Sequence, residues 1–143
     1  MIDRNRRTIR RLKVAAGLAR PGRHREGENL ETKVADWGLV VIWEFYALPG
    51  CETRFERVYG REGEWAQLFK SGVGYVGSEL NRDCKVPRRY LTLDFWSSRA
   101  AYDKFREANL PEYELLDQRC QALTERETEL GCLERISPHR QLP

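Results

Sequence analysis

Two carboxylates stand on adjacent predicted strands, Glu44 within GLVVIWEFYAL and Asp94 within RRYLTLDFW. Such a pair can divide general acid and general base roles if the two groups face one another, which spacing alone leaves open. Aromatic side chains crowd the same segments: Trp43 and Tyr46 beside Glu44, Tyr90 and Trp96 around Asp94, and Tyr75 with Glu79 on the strand before. Each has a structural alternative. Tyr90 and Trp96 suit a core or an interface equally well, and Asp94 could cap the turn or pair with Arg88 or Arg99.

Other chemistry finds less support. Cys51, Cys84, Cys120 and Cys132 lie far apart with no C-x-x-C pair, and His24 and His139 sit in the flanks. No metal site or disulfide framework is expected from that spacing, and the cysteines read as reduced, buried apolar residues. Gly72-Val73-Gly74 with Gly77 misses the G-x-G-x-x-G arrangement and lacks the helix that should follow, so no phosphate cradle is expected.

The elements that must position these side chains follow from periodicity. Gly38 to Leu48 is rich in β-branched and aromatic residues and closes on Pro49-Gly50, which predicts a strand apolar on both faces. Helix is expected from Cys51 to Tyr59 and from Glu64 to Lys70, broken at Gly60 and Gly63, with Phe55, Val58, Tyr59, Trp65, Leu68 and Phe69 on one side. Val73 to Asp83 is a weaker strand whose glycines suggest a bulge, with Val76, Ser78 and Leu80 on one face and Tyr75, Gly77 and Glu79 on the other. A short link makes it the hairpin neighbour of Arg88–Trp96. There Leu91, Leu93 and Phe95 alternate with Tyr90, Thr92, Asp94 and Trp96, before Ser97 or Ser98 caps a helix to Ala108. The next helix is expected to run from Pro111 along Tyr113, Leu116, Cys120, Leu123 and Leu130 and to end at Gly131, leaving Cys132–Ser137 as a short last strand.

That order is a split βαββαβ, ferredoxin-like α+β fold with an extra helix and an antiparallel sheet. Helices cover one face. The other face is expected to carry Tyr46, Tyr75, Tyr90 and Trp96, and exposing so much aromatic surface favours a face-to-face homodimer.

Composition sets the outer limits. The chain has 143 residues, 41% apolar and 33% charged, enough for one small domain and an extension. Residues 1–36 hold ten Lys/Arg against five Asp/Glu, while the rest holds 15 against 17. The three segments expected are a basic, disordered extension at 1–36, an ordered domain at 37–137 and a tail at 138–143. Ile9, Leu12 and Ala16 could form an apolar stripe on a basic helix, an attachment for nucleic acid or an acidic partner, although no base-reading motif accompanies it. No apolar run is long enough for a membrane span and no signal-peptide core follows the basic start, which points to the cytoplasm.

The apolar first strand ending in Pro49-Gly50, GYVGSELNRD, RRYLTLDFWSSRAAYDKF and PEYELLDQRCQALTERE together resemble the antibiotic biosynthesis monooxygenase-like (ABM) domain of the dimeric α+β barrel superfamily, over Gly38 to Ile136. The resemblance implies a homodimer whose two sheets form a barrel, with a pocket between sheet and helices. Some members are cofactor-independent oxygenases of aromatic compounds, and others degrade heme. Heme degraders use an Asn on the first strand, a Trp ending the third and a His on the following helix. Trp96 matches the Trp, but Trp43 or Glu44 occupies the Asn position and no His lies between His24 and His139. The resemblance therefore implies a cofactor-independent monooxygenase of an aromatic or quinol-like molecule, without cofactor or metal. Its catalytic candidates are Trp96, Asp94 and Glu44, and its substrate-binding candidates Tyr90, Tyr46, Trp43, Tyr75 and Glu79. Glu44 and Glu79 could instead hydrogen-bond across the barrel. The competing reading is a non-catalytic dimeric domain that binds a small ligand or a protein, its basic arm supplying an attachment.

Overall fold

The computed structural model describes residues 36–136. The basic extension and the C-terminal tail inferred above, and the roles suggested for them, lie outside those residues. The described elements are β1 (Leu39–Ala47), α1 (Glu52–Tyr59), α2 (Glu64–Phe69), β2 (Tyr75–Arg82), β3 (Arg89–Trp96), α3 (Arg99–Ala108), α4 (Leu110–Cys120) and β4 (Thr124–Glu134), the last two joined by a single 3-10 turn at Gln121–Leu123. The sheet is antiparallel with order β2-β3-β1-β4, so β1 and β3 are central and β2 and β4 are edges. This is the expected ferredoxin-like α+β fold.

The pairing register decides which side chains share a face. Trp43 opposes Thr92, Phe45 opposes Tyr90, Val41 opposes Asp94 and Leu39 opposes Trp96. Because side chains alternate along a strand, all of these point to one side, the side on which the helices pack. There Phe45, Phe55, Tyr59, Trp65, Phe69, Tyr90, Trp96, Phe105 and Tyr113 form one buried core, with Val58 and Leu68 packed against it. The helical faces read from the sequence are the faces that bury.

Two expectations are overturned. Tyr75, Tyr90 and Trp96 lie on the helix-covered face, and only Tyr46 of the four aromatics is on the other. The aromatic rings are thereby removed from water within the subunit. The face opposite the helices carries Ile42, Leu91 and Leu93, all half-buried.

The last helix also stops at Cys120, eleven residues before the predicted end at Gly131, and 124–134 is strand. TERETELGCLE carries β-branched Thr124 and Thr128 two pairs apart, and nearly its whole length pairs with β1, with register shifts at Ile42/Trp43 and Tyr46/Ala47. Backbone pairing along a central strand outweighs the helical propensity of three glutamates. Leu130, expected inside, is half exposed. Ser98, one of the two expected caps, accepts the Ala101 N–H at 3.1 Å and starts α3.

Candidate functional site

Glu44 and Asp94 do not face each other. Glu44 opposes Leu91 and Asp94 opposes Val41, which sets the two carboxylates on opposite faces of the sheet. Glu44 is bound by Arg89 at 2.7 Å, and the same guanidinium holds Asp83 at 2.6 Å. An acid–base division between Glu44 and Asp94 is therefore ruled out by register, whereas Glu44 and Glu79 share the sheet face away from the helices, with β3 between them. Tyr46, on the Glu44 side, lies under Arg126 with its ring 4.2 Å from the guanidinium carbon.

Trp43 and Tyr90 sit in the core. Trp43 is 1% exposed and Tyr90 2%, and the Tyr90 hydroxyl donates to Glu56 at 3.1 Å. Glu56 in turn is held by Arg82. Trp96 is enclosed by the rings of Phe69, Tyr75, Tyr102 and Phe105. Its indole N–H is buried with no hydrogen-bond acceptor among the described residues, so Trp96 acts through packing. These rings pack around Trp96 on the helix-covered face.

A cleft of about 590 Å³ opens along β2, the outer strand of the described sheet. Arg61 and Glu62 from the α1–α2 turn and Lys70 after α2 form one side and β2 from Tyr75 to Asn81 the other; Phe95 of β3, on the sheet face away from Tyr75, also lines it where it rounds the edge. Lys70 is paired with Glu62 at 3.5 Å. Among the predicted site residues this cleft gathers Tyr75 and Glu79, and it has Asp94 just behind it.

Ser78, which the residue types alone did not single out, makes the connection. Its hydroxyl donates to Asp94 Oδ1 at 2.7 Å and lies 2.7 Å from the Tyr75 hydroxyl. A serine has one hydroxyl proton, here committed to Asp94, so Tyr75 donates to Ser78. Neither Arg88 nor Arg99 takes Asp94 as an ion-pair partner: Arg88 reaches Glu125 and Arg99 reaches Asp103. Burial pushes the Tyr75 phenol up to about 12, the Ser78 hydrogen bond pulls the other way, and the charges of Asp94 and Glu62 add to the rise. At neutral pH Tyr75 is thus a neutral phenol, able to accept a hydrogen bond from a ligand while donating to Ser78.

No group of three or more His, Cys, Asp or Glu side chains converges as a metal site among the described residues. Cys84 and Cys132 are exposed, against the expectation of burial, while Cys120 is buried. Cys84 lies in the 83–88 hairpin and Cys132 on the outer strand β4. No described helix is long and apolar enough to cross a membrane.

The fold and the cleft define an α+β, ferredoxin-like domain with an open cleft at a sheet edge. No family model and no curated protein matches the chain. Among solved structures it is similar to SnoaB, a cofactor-independent oxygenase from Streptomyces nogalater, at 17% identity and a TM-score of 0.58, covering 73% of this chain and 99% of that one. It is similar also to PA3566 from Pseudomonas aeruginosa (18%, TM-score 0.52, covering 71% and 96%). A third is a protein of Bordetella bronchiseptica provisionally named an antibiotic biosynthesis monooxygenase (24%, TM-score 0.51, covering 70% and 99%). At these identities the likeness carries the fold, which is that of ABM-like proteins.

Proposed function

We propose that the protein is a cofactor-independent monooxygenase of an aromatic or quinol-like small molecule bound in the β2 cleft. The observation that carries this reading is the placement of a neutral Tyr75 phenol, hydrogen-bonded through Ser78 to the Asp94 carboxylate, on the wall of the cleft along β2. SnoaB, which shares the fold, is itself a cofactor-independent oxygenase.

In this reading Tyr75 holds the aromatic ring at the β2 edge and Glu79 offers an acceptor at the rim. Trp96, 5.2 Å from the Tyr75 ring centroid, fixes the tyrosine's position. Asp94 is the final proton acceptor. Glu44, Tyr46, Trp43 and Tyr90 serve the sheet and the core. The ligand phenol loses its proton, and the electron-rich anion reacts with oxygen at the ring carbon para to it. That carbon loses hydrogen and gains one oxygen atom as a carbonyl; the second oxygen atom leaves as water. For 1-naphthol the sum is 1-naphthol plus O2 giving 1,4-naphthoquinone plus water, all electrons coming from the substrate. We further propose that a second copy covers the sheet face of Ile42, Leu91 and Leu93, to which exposed Leu133 adds.

One observation favours a second reading, a non-catalytic domain that binds a small ligand. Arg61, Glu62, Lys70, Glu79 and Asn81 are exposed, so the cleft is open to water, whereas oxygen chemistry on an anion gains from a closed site. Oxygen uptake by the full chain with phenols, naphthols and hydroquinones separates the two. Uptake above the uncatalysed rate is expected; tight binding without uptake supports the second reading, and absence of both refutes each.

A further inference from the structure

A strand places residues three apart on opposite faces, so Tyr75 and Ser78 should not meet. They do meet because of one irregularity. Tyr75 pairs with Trp96 while Gly77, two residues on, pairs with Phe95, so β2 carries an extra residue at Val76. The bulge flips the remainder of the strand and brings Ser78, opposite Asp94, onto the Tyr75 side. A Cβ at Gly77 would meet open space, so the bulge does not depend on a glycine there.

Resting on the reading of the cleft above, we infer that Ser78 is a positioning residue in a proton relay that runs from a bound ligand hydroxyl through Tyr75 and Ser78 to Asp94. Asp94 is 7% exposed and does not line the cleft, so no ligand in the cleft touches it directly. Tyr75 lines the cleft, and its hydroxyl oxygen has an acceptor lone pair left after donating to Ser78. In the transfer, the ligand O–H bond breaks and a Tyr75 O–H forms; the original Tyr75 proton passes to Ser78 and the Ser78 proton to Asp94 Oδ1. Tyr75 and Ser78 end neutral. One proton has moved from the ligand to the carboxylate. Among the described residues that line the cleft, the ionic groups are Arg61, Glu62 and Lys70 across it and Glu79 on β2, with Glu62 and Lys70 already paired.

The test uses the full chain and 1-naphthol as the probe. Ser78→Ala is expected to lower kcat by roughly tenfold to a hundredfold, the lower end of what a positioned base contributes, and to change KM by less than about threefold. Ser78→Thr, which restores a hydroxyl, is expected to recover most of the loss, and Tyr75→Phe to behave as Ser78→Ala does. Wild-type kcat and an unchanged pH profile in Ser78→Ala would overturn the relay while leaving the cleft reading intact. A readout without turnover accompanies it: the pH titration of the Asp94 carboxyl by 13C NMR, with and without 1-naphthol in the absence of oxygen. Naphthol is expected to move that titration in the wild type and not in Ser78→Ala. An equal effect in both proteins overturns the relay, and a wild type that does not bind naphthol refutes the cleft reading and the relay with it.

Discussion

Replacing Trp96 separates a packed core residue from the wall of a binding site. Its side chain is 0% exposed, and the centroids of Phe69, Tyr75, Tyr102 and Phe105 lie between 5.0 and 5.8 Å away. A buried large aromatic removes about 150–250 Å² from water, which at about 25 cal/mol per Å² is roughly 4–6 kcal/mol. Trp96→Ala is therefore expected to cost about 3–5 kcal/mol, the range for deleting such a side chain from a core. That is a large part of the roughly 5–15 kcal/mol available to a small domain, so the variant would be poorly folded. Trp96→Phe keeps one ring and is the informative variant, with an expected loss of about 1–2 kcal/mol. In urea, with a slope of about 2 kcal/mol per molar, the midpoint should fall by roughly 0.5–1 M. A midpoint within error of the wild type for Trp96→Phe would show that the indole is not packed, and would return Trp96 to a pocket wall.

Three further outcomes follow from the same geometry. A Cβ at Gly72 would lie 2.8 Å from Phe105 Cδ2 and 2.9 Å from Trp96 Cζ3, so Gly72→Ala should destabilise by about 1–3 kcal/mol, read by the same urea titration. Ser98→Ala removes the acceptor for the Ala101 N–H at the start of α3 and should cost about 0.5–2 kcal/mol, whereas Ser98→Asp should keep most of the stability. Asp83 accepts the backbone N–H groups of Val86 and Lys85, which with Arg89 hold its carboxyl down at about 2, below the ordinary 3.8. A depressed folded value stabilises above the unfolded value and is lost as pH falls through the folded one. The advantage of the wild type over Asp83→Asn should therefore be constant above about pH 4 and vanish toward pH 2 in acid titrations followed by circular dichroism.

Most of the fold was legible because its signals are local. The period-two run of Leu91, Leu93 and Phe95, the Ser98 cap and the apolar sides of α1 and α2 each depend on residues within a turn or a strand. What the local signals lack is register. Alternation showed that Tyr90 and Trp96 share a face but not which face meets the helices, because β1 is apolar on both sides. The same gap made Glu44 and Asp94 look like partners. β4 was misread as helix since Tyr113, Leu116, Cys120 and Leu123 do keep helical spacing, and only pairing with β1 ends that pattern. Ser78 stayed hidden because Tyr75 and Ser78 meet through a bulge; the clustered glycines around it, Gly72, Gly74 and Gly77, were the signal available.

The most direct measurement is the fate of labelled oxygen. The full chain, incubated with 1-naphthol under 18O2 without added metal or cofactor, should yield 1,4-naphthoquinone carrying one labelled oxygen atom, faster than in its absence. Naphthol that binds at Tyr75 yet leaves the chain unlabelled and unoxidised would contradict the monooxygenase reading and leave a ligand-binding domain in its place.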